Sequence, residues 1–560
     1  MITVQVDKTA SEGIVIGRAY PIEKPKLTAA YEAVAEEDIP KEIRRYEQTV
    51  EKAEADLKVL ARTSAIFEAH LEMVKDIMLY EGVITRIKTG KCCAEAALEE
   101  AAAEIIAVFD GMDDEYMRER AADLKDIRSR LMCLLQGVKM NPFADIRDEV
   151  IIVAEDLTPS DTAAMPSEHV LGIITQEGGV TSHVSIMAKG LGIPALVGVK
   201  GILTRLKMED TLIMDAGAGL IHIQPDEETL ERYRRLQKEE QIRREELLKL
   251  KELPAVTKDG KCVRLCINAG SIKDIKKALE YGMDGVGLFR SEFLYMENTH
   301  FPTEEEQFEA YKAAALLSRE ELTVRTLDIG GDKALPYYEF EKEENPFLGW
   351  RAIRISLELQ EMFKTQLRAI LRASAFGTVR IMFPMIVSLE ELRKSKDILA
   401  ECRRELEAEK LAYDPDLKVG MMIETPASVL LIDDFAKEAD YFSIGTNDLT
   451  QYLLAVDRGN KKISTMYNSF HPSVLRSIGR IIEAGHRCHI PVGMCGEFAG
   501  DERAVKLLLG LGLDEFSVSA ASLLKVKKLI IEASYQEAKQ LAERACEKQT
   551  IQEIYDIVGI

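Results

Sequence analysis

The last roughly 300 residues carry eight short apolar runs, each bounded by turn residues and separated by helix-spaced stretches, and few folds accommodate that alternation. The runs are Val263–Ile267, Gly285–Phe289, Thr323–Leu327, Val379–Phe383, Val419–Ile423, Tyr441–Ile444, Val492–Met494 and Phe516–Val518. They predict a parallel sheet closed into a (β/α)₈ TIM barrel over residues 255–560. Polar residues recur directly after the runs: Asn268, Arg290, Asp328, Glu424, Asn447 with Asp448, and Cys495 with Glu497. In such barrels the site is built at the carboxyl ends of the strands, so this recurrence predicts an active-site mouth.

Upstream, residues 226–254 are dense in Glu, Arg and Lys and read as a solvated linker helix that Pro254 ends. Before it, Val150–Ala154, Leu171–Thr175, Thr211–Asp215 and Leu220–Ile223 are strand-like runs. With the strand-rich opening they predict one α/β domain made of residues 1–25 and 142–225. Residues 26–141 are helical in pattern. Ile43, Tyr46, Val50, Ala53, Leu57 and Leu60 recur at spacings of three and four. A second helix is expected from about Ser64 to Ile87, with Phe67, Leu71, Val74 and Met78 on one face. An alanine-rich third covers Cys92–Phe109, and a fourth runs from Asp113 to Gln136, stopped by Gly137. Together they predict an inserted four-helix subdomain.

Within the α/β domain lies Gly178-Gly179-Val180-Thr181-Ser182-His183-Val184-Ser185-Ile186-Met187-Ala188-Lys189. Paired glycines permit a tight turn, Thr181 and Ser182 are cap residues, and His183 falls at the first turn of a helix. Unpaired N–H groups and the helix dipole favour an anion there and disfavour imidazolium, so a neutral, nucleophilic ring is expected. A histidine that merely ends a turn fits the same stretch equally well.

At the barrel mouth, Glu424 and Asp448 are hard oxygen ligands suited to Mg²⁺. Carboxylates paired to arginines in a loop network are the rival. Arg290, Arg325, Arg351 and Arg458 are cationic forks suited to phosphate and carboxylate groups. Cys495, in Gly493-Met494-Cys495-Gly496-Glu497, is either a proton donor on a tight turn or an inert core thiol. No G-x-x-x-x-G-K-[ST] sequence occurs, and Gly330-Gly331-Asp332-Lys333 does not replace one.

Composition narrows the classes. A net charge of −22 argues against a nucleic-acid binder. Nine scattered cysteines suggest neither a disulfide framework nor a zinc site. No apolar run long enough to span a membrane and no secretory leader stand out, so a cytoplasmic protein without membrane insertion is expected.

These residues resemble one family, Enzyme I of the bacterial sugar phosphotransferase system, the phosphoenolpyruvate–protein phosphotransferases. The resemblance is carried by Gly178–Lys189 with Ile193–Gly198, Gly285–Glu292, Val324–Lys333, Glu344–Arg354, Met422–Ala427, Phe442–Gly459 and Gly493–Arg503, with Asp113–Ile127 in the helical insert. It implies a phosphorylated His183 and phosphoenolpyruvate binding by Arg290, Arg325, Asn447 and Arg458, with Arg351 assisting beside Asp448. It also implies Mg²⁺ on Glu424 and Asp448, Cys495 as proton donor, docking of the phosphocarrier protein HPr on the inserted helices, and a homodimer joined through the barrels. The implied reaction moves phosphoryl from phosphoenolpyruvate to His183 and then to HPr, releasing pyruvate. His183 must move between pocket and acceptor, with hinges expected near Gly137–Pro142 and Asp226–Pro254. Lys189 stands where many members have arginine, and His471 is assigned no catalytic role. Pyruvate phosphate dikinase and phosphoenolpyruvate synthase share the histidine domain and barrel, but no stretch here is long enough for their nucleotide-binding domain. A regulator carrying phosphohistidine as a signal is the rival from another class.

Overall fold

The computed structural model describes residues 1–560 except 7, 23–30, 61–65, 111–114, 139–142, 144–145, 180–181, 297, 331–334, 336, 461 and 560. The chain divides into two compact units, Met1–Ile242 and Arg243–Ile560.

The first unit contains an eight-stranded sheet. Its strands are β1 (Ile2–Gln5), β2 (Thr9–Ser11), β3 (Ile14–Ile22), β4 (Val150–Ala154), β5 (Val170–Thr175), β6 (Ala195–Leu196), β7 (Thr211–Asp215) and β8 (Leu220–Ile223), in the order β1-β8-β7-β3-β4-β5-β6-β2. β4 is buried along its whole length, and its alternating side chains explain why. Ile152 and Ala154 face a cluster with Val184 and Ala188, whereas Ile151 and Val153 face one with Leu206, Leu212 and Met214. The chain leaves the sheet after β3 and returns as β4, its parallel neighbour, with Arg18 opposite Val150 and Ile22 opposite Ala154. Everything between the two strands is therefore an insertion.

The insertion holds α1 (Ile39–Leu60), α2 (Ile66–Met73), α3 (Ile77–Gly90), α4 (Ala94–Asp110) and α5 (Glu115–Gln136). Tyr46, Val50, Ala53 and Leu57 of α1 are all buried in its core, as their spacing predicts. The stretch read as one helix from Ser64 to Ile87 is two. Asp76 accepts hydrogen bonds from the N–H groups of Met78 (2.8 Å) and Leu79 (3.4 Å) and so restarts the helix as α3. The restart rotates Met78 off the face shared by Phe67 and Val74; it is 71% exposed. Gly137 takes φ +68° just past α5, as a stop glycine should. Of the expected hinge at Gly137–Pro142, residues 139–142 lie outside the described residues, as do Ser64 and Asp113.

The remaining helices of this part are α6 (Pro159–Ala164), α7 (His183–Leu191) and α8 (Glu227–Leu248). Tyr233 is the buried residue of α8, which accords with a charged, solvated helix. The division between the two units falls inside α8.

The second unit is a closed parallel barrel. Its strands are β9 (Arg264–Ala269), β10 (Val286–Arg290), β11 (Leu322–Arg325), β12 (Val379–Phe383), β13 (Lys418–Ile423), β14 (Phe442–Ile444), β15 (Val492–Met494) and β16 (Glu515–Val518), and β16 pairs with β9. An aspartate before a strand repeatedly caps a neighbouring strand's first N–H groups. Asp284 takes Leu265 N–H at 2.7 Å, Asp440 takes Val419 N–H at 2.8 Å, and Asp514 takes Val492 N–H at 3.0 Å. β9 runs two residues further than its apolar pattern, because Ala269 still pairs with Phe289. Asn268 is thus within the strand rather than after it. Among the described residues no helix is long and apolar enough to cross a membrane.

Candidate active site

Strand ends set the site. Arg290 closes β10, Arg325 closes β11, Glu424 follows β13, and Cys495 follows β15. Asn447 and Asp448 open the helix Thr446–Leu454 that follows β14. These residues, with Arg351 and Arg458, line one cavity of about 530 Å³ at the carboxyl ends of the strands. Asp328 and Glu497 line it as well, so of the residues expected at the barrel mouth Asn268 is the one outside this lining.

The arginines are not equivalent. Arg325 is buried, with Nη2 on Glu292 and Nη1 3.0 Å from Asp328 Oδ2. Arg351 is buried too, with Nη2 2.9 Å from Asp328 Oδ1 and 3.6 Å from Asp448 Oδ2, and Nη1 donating to the Tyr452 hydroxyl at 3.2 Å. Asp328 thus holds two guanidinium groups in one orientation, and its neighbouring carboxylates keep both protonated despite burial. Arg458 is looser: its Nη1 lies 3.7 Å from Asp448 Oδ1 and its side chain is 34% exposed. Arg290 is exposed and makes no ion pair with a described residue.

Glu424 is buried, and Oε1 accepts the Met385 N–H at 2.6 Å. Burial first, then the charges of Asp448 and Asp328, push its carboxyl up to about 8 against the pull of Arg325 and Arg351. Asp448 Oδ1 is buried and accepts no hydrogen bond. Two adjacent buried carboxylates, one raised and one with an unsatisfied oxygen, make a donor set that a hard divalent cation such as Mg²⁺ fits. Two non-glycine residues with positive φ flank the site, Ala352 (+53°) beside Arg351 and Met385 (+57°) beside Glu424. Strain of this kind persists where the surroundings over-determine the backbone.

Cys495 is buried, and burial pushes its thiol up to about 11, so it carries its proton at neutral pH. Asn447 is anchored at both ends of its residue: Oδ1 accepts the Glu497 N–H at 3.0 Å, and its carbonyl accepts the Tyr467 hydroxyl at 3.2 Å. Sequence reasoning missed Glu292, Tyr452 and Tyr467. Glu292 had a signal, two residues after Arg290 at a strand end; the tyrosines had none.

In the first unit His183 is the first residue of α7, and Ser182 caps that helix by accepting the Ser185 N–H at 3.4 Å. Gly178, at φ +96°, provides the turn before it. Val180, Thr181 and the His183 side chain lie outside what is described. Lys189 is exposed in the last turn. His471 accepts the Ser473 N–H as a helix cap, a structural use of the ring.

Comparison with known proteins agrees with this division of the chain. Three family models match: the N-terminal part of phosphoenolpyruvate-utilising enzymes over residues 8–120, their mobile domain over 146–219, and their phosphoenolpyruvate-binding domain over 244–535. The phosphoenolpyruvate-protein phosphotransferase of Listeria innocua is 45% identical over 98% of this chain and 97% of its own. That of Geobacillus stearothermophilus is 45% identical over 98% of this chain and 96% of its own. That of Haemophilus influenzae is 44% identical over 98% of this chain and 97% of its own. With such identity along nearly its whole length, the chain belongs to the phosphoenolpyruvate-protein phosphotransferase family and is an enzyme of that activity.

Proposed function

We propose that the chain takes the phosphoryl group of phosphoenolpyruvate onto His183 and passes it to a histidine of HPr, releasing pyruvate, as the first step of a sugar phosphotransferase system. The observation that carries this reading is a barrel-mouth cavity in which four arginines meet the Glu424–Asp448 pair. A small anion with several charges needs such a lining, and phosphoryl transfer depends mainly on positioning and charge neutralisation.

In this reading residues 1–25 and 142–225 carry the phosphohistidine, residues 26–141 dock HPr, and residues 226–254 connect them to the barrel of residues 255–560. The barrel also joins two copies in a homodimer. Arg290, Arg325, Arg458 and Asn447 bind phosphoenolpyruvate, with Arg351 and Asp448 assisting. The ring of His183 attacks phosphorus in line: the N–P bond forms, the P–O bond breaks, and its electron pair goes to the enolate oxygen of pyruvate. Glu424 and Asp448 would hold Mg²⁺, which when bound would supply Lewis-acid charge to the reaction. Cys495 Sγ–H gives its proton to the methylene carbon, leaving a thiolate that regains a proton before the next cycle. His183 reaches the pocket for the first transfer and HPr for the second, and the enzyme works in the cytoplasm.

The test is labelled phosphoenolpyruvate with Mg²⁺, given to the chain and to His183→Ala, followed by HPr. Acid-labile label on the chain that moves to HPr is the expected result. Label of equal amount on His183→Ala refutes the assignment of the histidine.

A further inference from the structure

Asn268 stands at the barrel mouth without lining the anion cavity, yet its amide is engaged at both ends. Nδ2 donates to the main-chain oxygen of Cys495 at 2.9 Å, and Oδ1 accepts the Ser517 hydroxyl at 2.7 Å. The side chain therefore ties β9, β16 and the turn after β15 together.

Beyond this tether the turn is held by the Glu497 N–H on Asn447 Oδ1 at 3.0 Å and by the Ala499 N–H on the Gly496 carbonyl at 3.1 Å. A side-chain hydrogen bond between Ser443 and the Cys495 thiol and contacts to the β14 main chain hold it further. The Cys495 N–H donates to the Ile444 carbonyl at 3.2 Å, and the Gly496 N–H reaches the same oxygen at 3.4 Å. The Cys495 thiol lies 3.9 Å from it as well. A Cβ on Gly496 would fall 1.9 Å from Thr446 Oγ1, so the turn is pressed against the start of the Thr446–Leu454 helix. One side of Cys495 hangs from the β14 main chain. Its carbonyl hangs from the amide of Asn268.

We infer that Asn268 is a positioning residue for the Cys495 thiol, fixing the line along which the proton reaches the methylene carbon. The inference rests on the reading of Cys495 as proton donor. Proton transfer to carbon requires the donor within hydrogen-bond reach, and rates fall steeply when a reacting group is displaced. With the carbonyl released, the residue can pivot about its contacts to β14 at Ile444 and Ser443 and carry Sγ off that line. Phosphorus chemistry, which does not use the thiol, depends far less on this tether.

The experiment uses the full chain with Mg²⁺ and pyruvate in D₂O, reading methyl-proton exchange by NMR, beside the rate of labelling from phosphoenolpyruvate. Cys495→Ala is expected to abolish exchange. Asn268→Ala is expected to slow exchange by about tenfold more than it slows labelling, the size of one lost hydrogen bond. Asn268→Asp, which can accept from Ser517 but cannot donate to the Cys495 carbonyl as a carboxylate, is expected to behave alike and covers a poorly folding alanine variant. Ser517→Ala, which keeps the donor, is expected to fall between these and the parent. Wild-type exchange in Asn268→Asp and Asn268→Ala, with Cys495→Ala inactive, overturns the positioning role and leaves the donor reading standing. Exchange that survives Cys495→Ala overturns the donor reading, and the inference falls with it. Equal losses in exchange and labelling with a raised KM mark Asn268 as merely structural, which also overturns it.

Discussion

Replacing Glu424 by glutamine separates a cation ligand from an ion-pair partner, because the two roles predict opposite changes in stability. Glu424 is 1% exposed, and among the described residues its hydrogen-bond donor is a main-chain N–H, not an arginine. Its carboxyl is pushed up to about 8, chiefly by burial and then by Asp448 and Asp328, so the nearby arginines do not compensate its charge. The folded state therefore prefers the protonated form, and that stabilising protonation is fully present below the ordinary carboxylate value and lost as pH rises through about 8. Each unit of displacement is worth about 1.4 kcal/mol, so the ionised carboxylate costs on the order of a few kcal/mol without a cation.

Glutamine copies the neutral acid in volume and still accepts the Met385 N–H. In EDTA, Glu424→Gln should melt near the parent at about pH 4 and progressively above it as pH rises towards 9, where the parent has lost its protonation. The same substitution removes an anionic ligand. Loss of groups that only orient a ligand weakens metal affinity by about 10–100-fold, so a direct ligand should cost at least about 100-fold, or about 2.7 kcal/mol. A Mg²⁺ titration of labelling from phosphoenolpyruvate reads this as a shifted midpoint. A variant that melts below the parent at pH 9 in EDTA, with an unshifted Mg²⁺ midpoint, would refute the reasoning and return Glu424 to the arginine network.

Two further outcomes are expected away from the cavity. At the amino ends of the barrel strands, Arg380 Nη2 pairs with Glu515 Oε2 at 3.1 Å and with Glu321, its Nε donates to Thr323 at 3.1 Å, and its guanidinium lies 4.4 Å from the Tyr441 ring centre. Arg380→Met should cost about 3–5 kcal/mol in denaturant unfolding with the KM for phosphoenolpyruvate unchanged, and a loss below about 1 kcal/mol would mean that water reaches this cluster. In the helical insertion, Asp76→Ala should lower the unfolding free energy by about 1 kcal/mol and Asp76→Asn by less; equal losses would rule out capping as the cause.

Barrel strands were legible because each is buried and apolar between turn residues, and that pattern survives without knowledge of its neighbours. β16 shows the limit. It begins at Glu515, a charged residue that periodicity excludes, and its place in the strand depends on Arg264 and Arg380, more than a hundred residues away in sequence. The break before α3 was hidden for the opposite reason. Phe67, Leu71, Val74 and Met78 continue a helical spacing, so the seam outvoted Asp76, although an aspartate whose side chain can take two N–H groups is a local signal that the backbone obeys.

The candidate site divides along the same line. Arg290 and Glu424 could be found because they stand directly after apolar runs. Arg325, by contrast, sits inside the expected run Thr323–Leu327 and closes β11 only in the structure, and Tyr452 is met at Arg351 only after the chain has closed a 101-residue separation. Reading arginines alone also misjudges where positive charge is available. Arg325 and Arg351 are committed to Glu292, Asp328 and Asp448, so their charges are largely spent in holding the frame. The cations with charge to spare are Arg290, unpaired among the described residues, and Arg458, at 3.7 Å from a carboxylate oxygen that accepts no hydrogen bond. A multiply charged anion would meet these two first. A divalent cation at Glu424 and Asp448 would relieve the carboxylates and, by drawing Asp448 away from Arg458, leave that guanidinium freer for the anion. On this electrostatic argument cation and anion promote each other's binding, because each removes a charge that opposes the other.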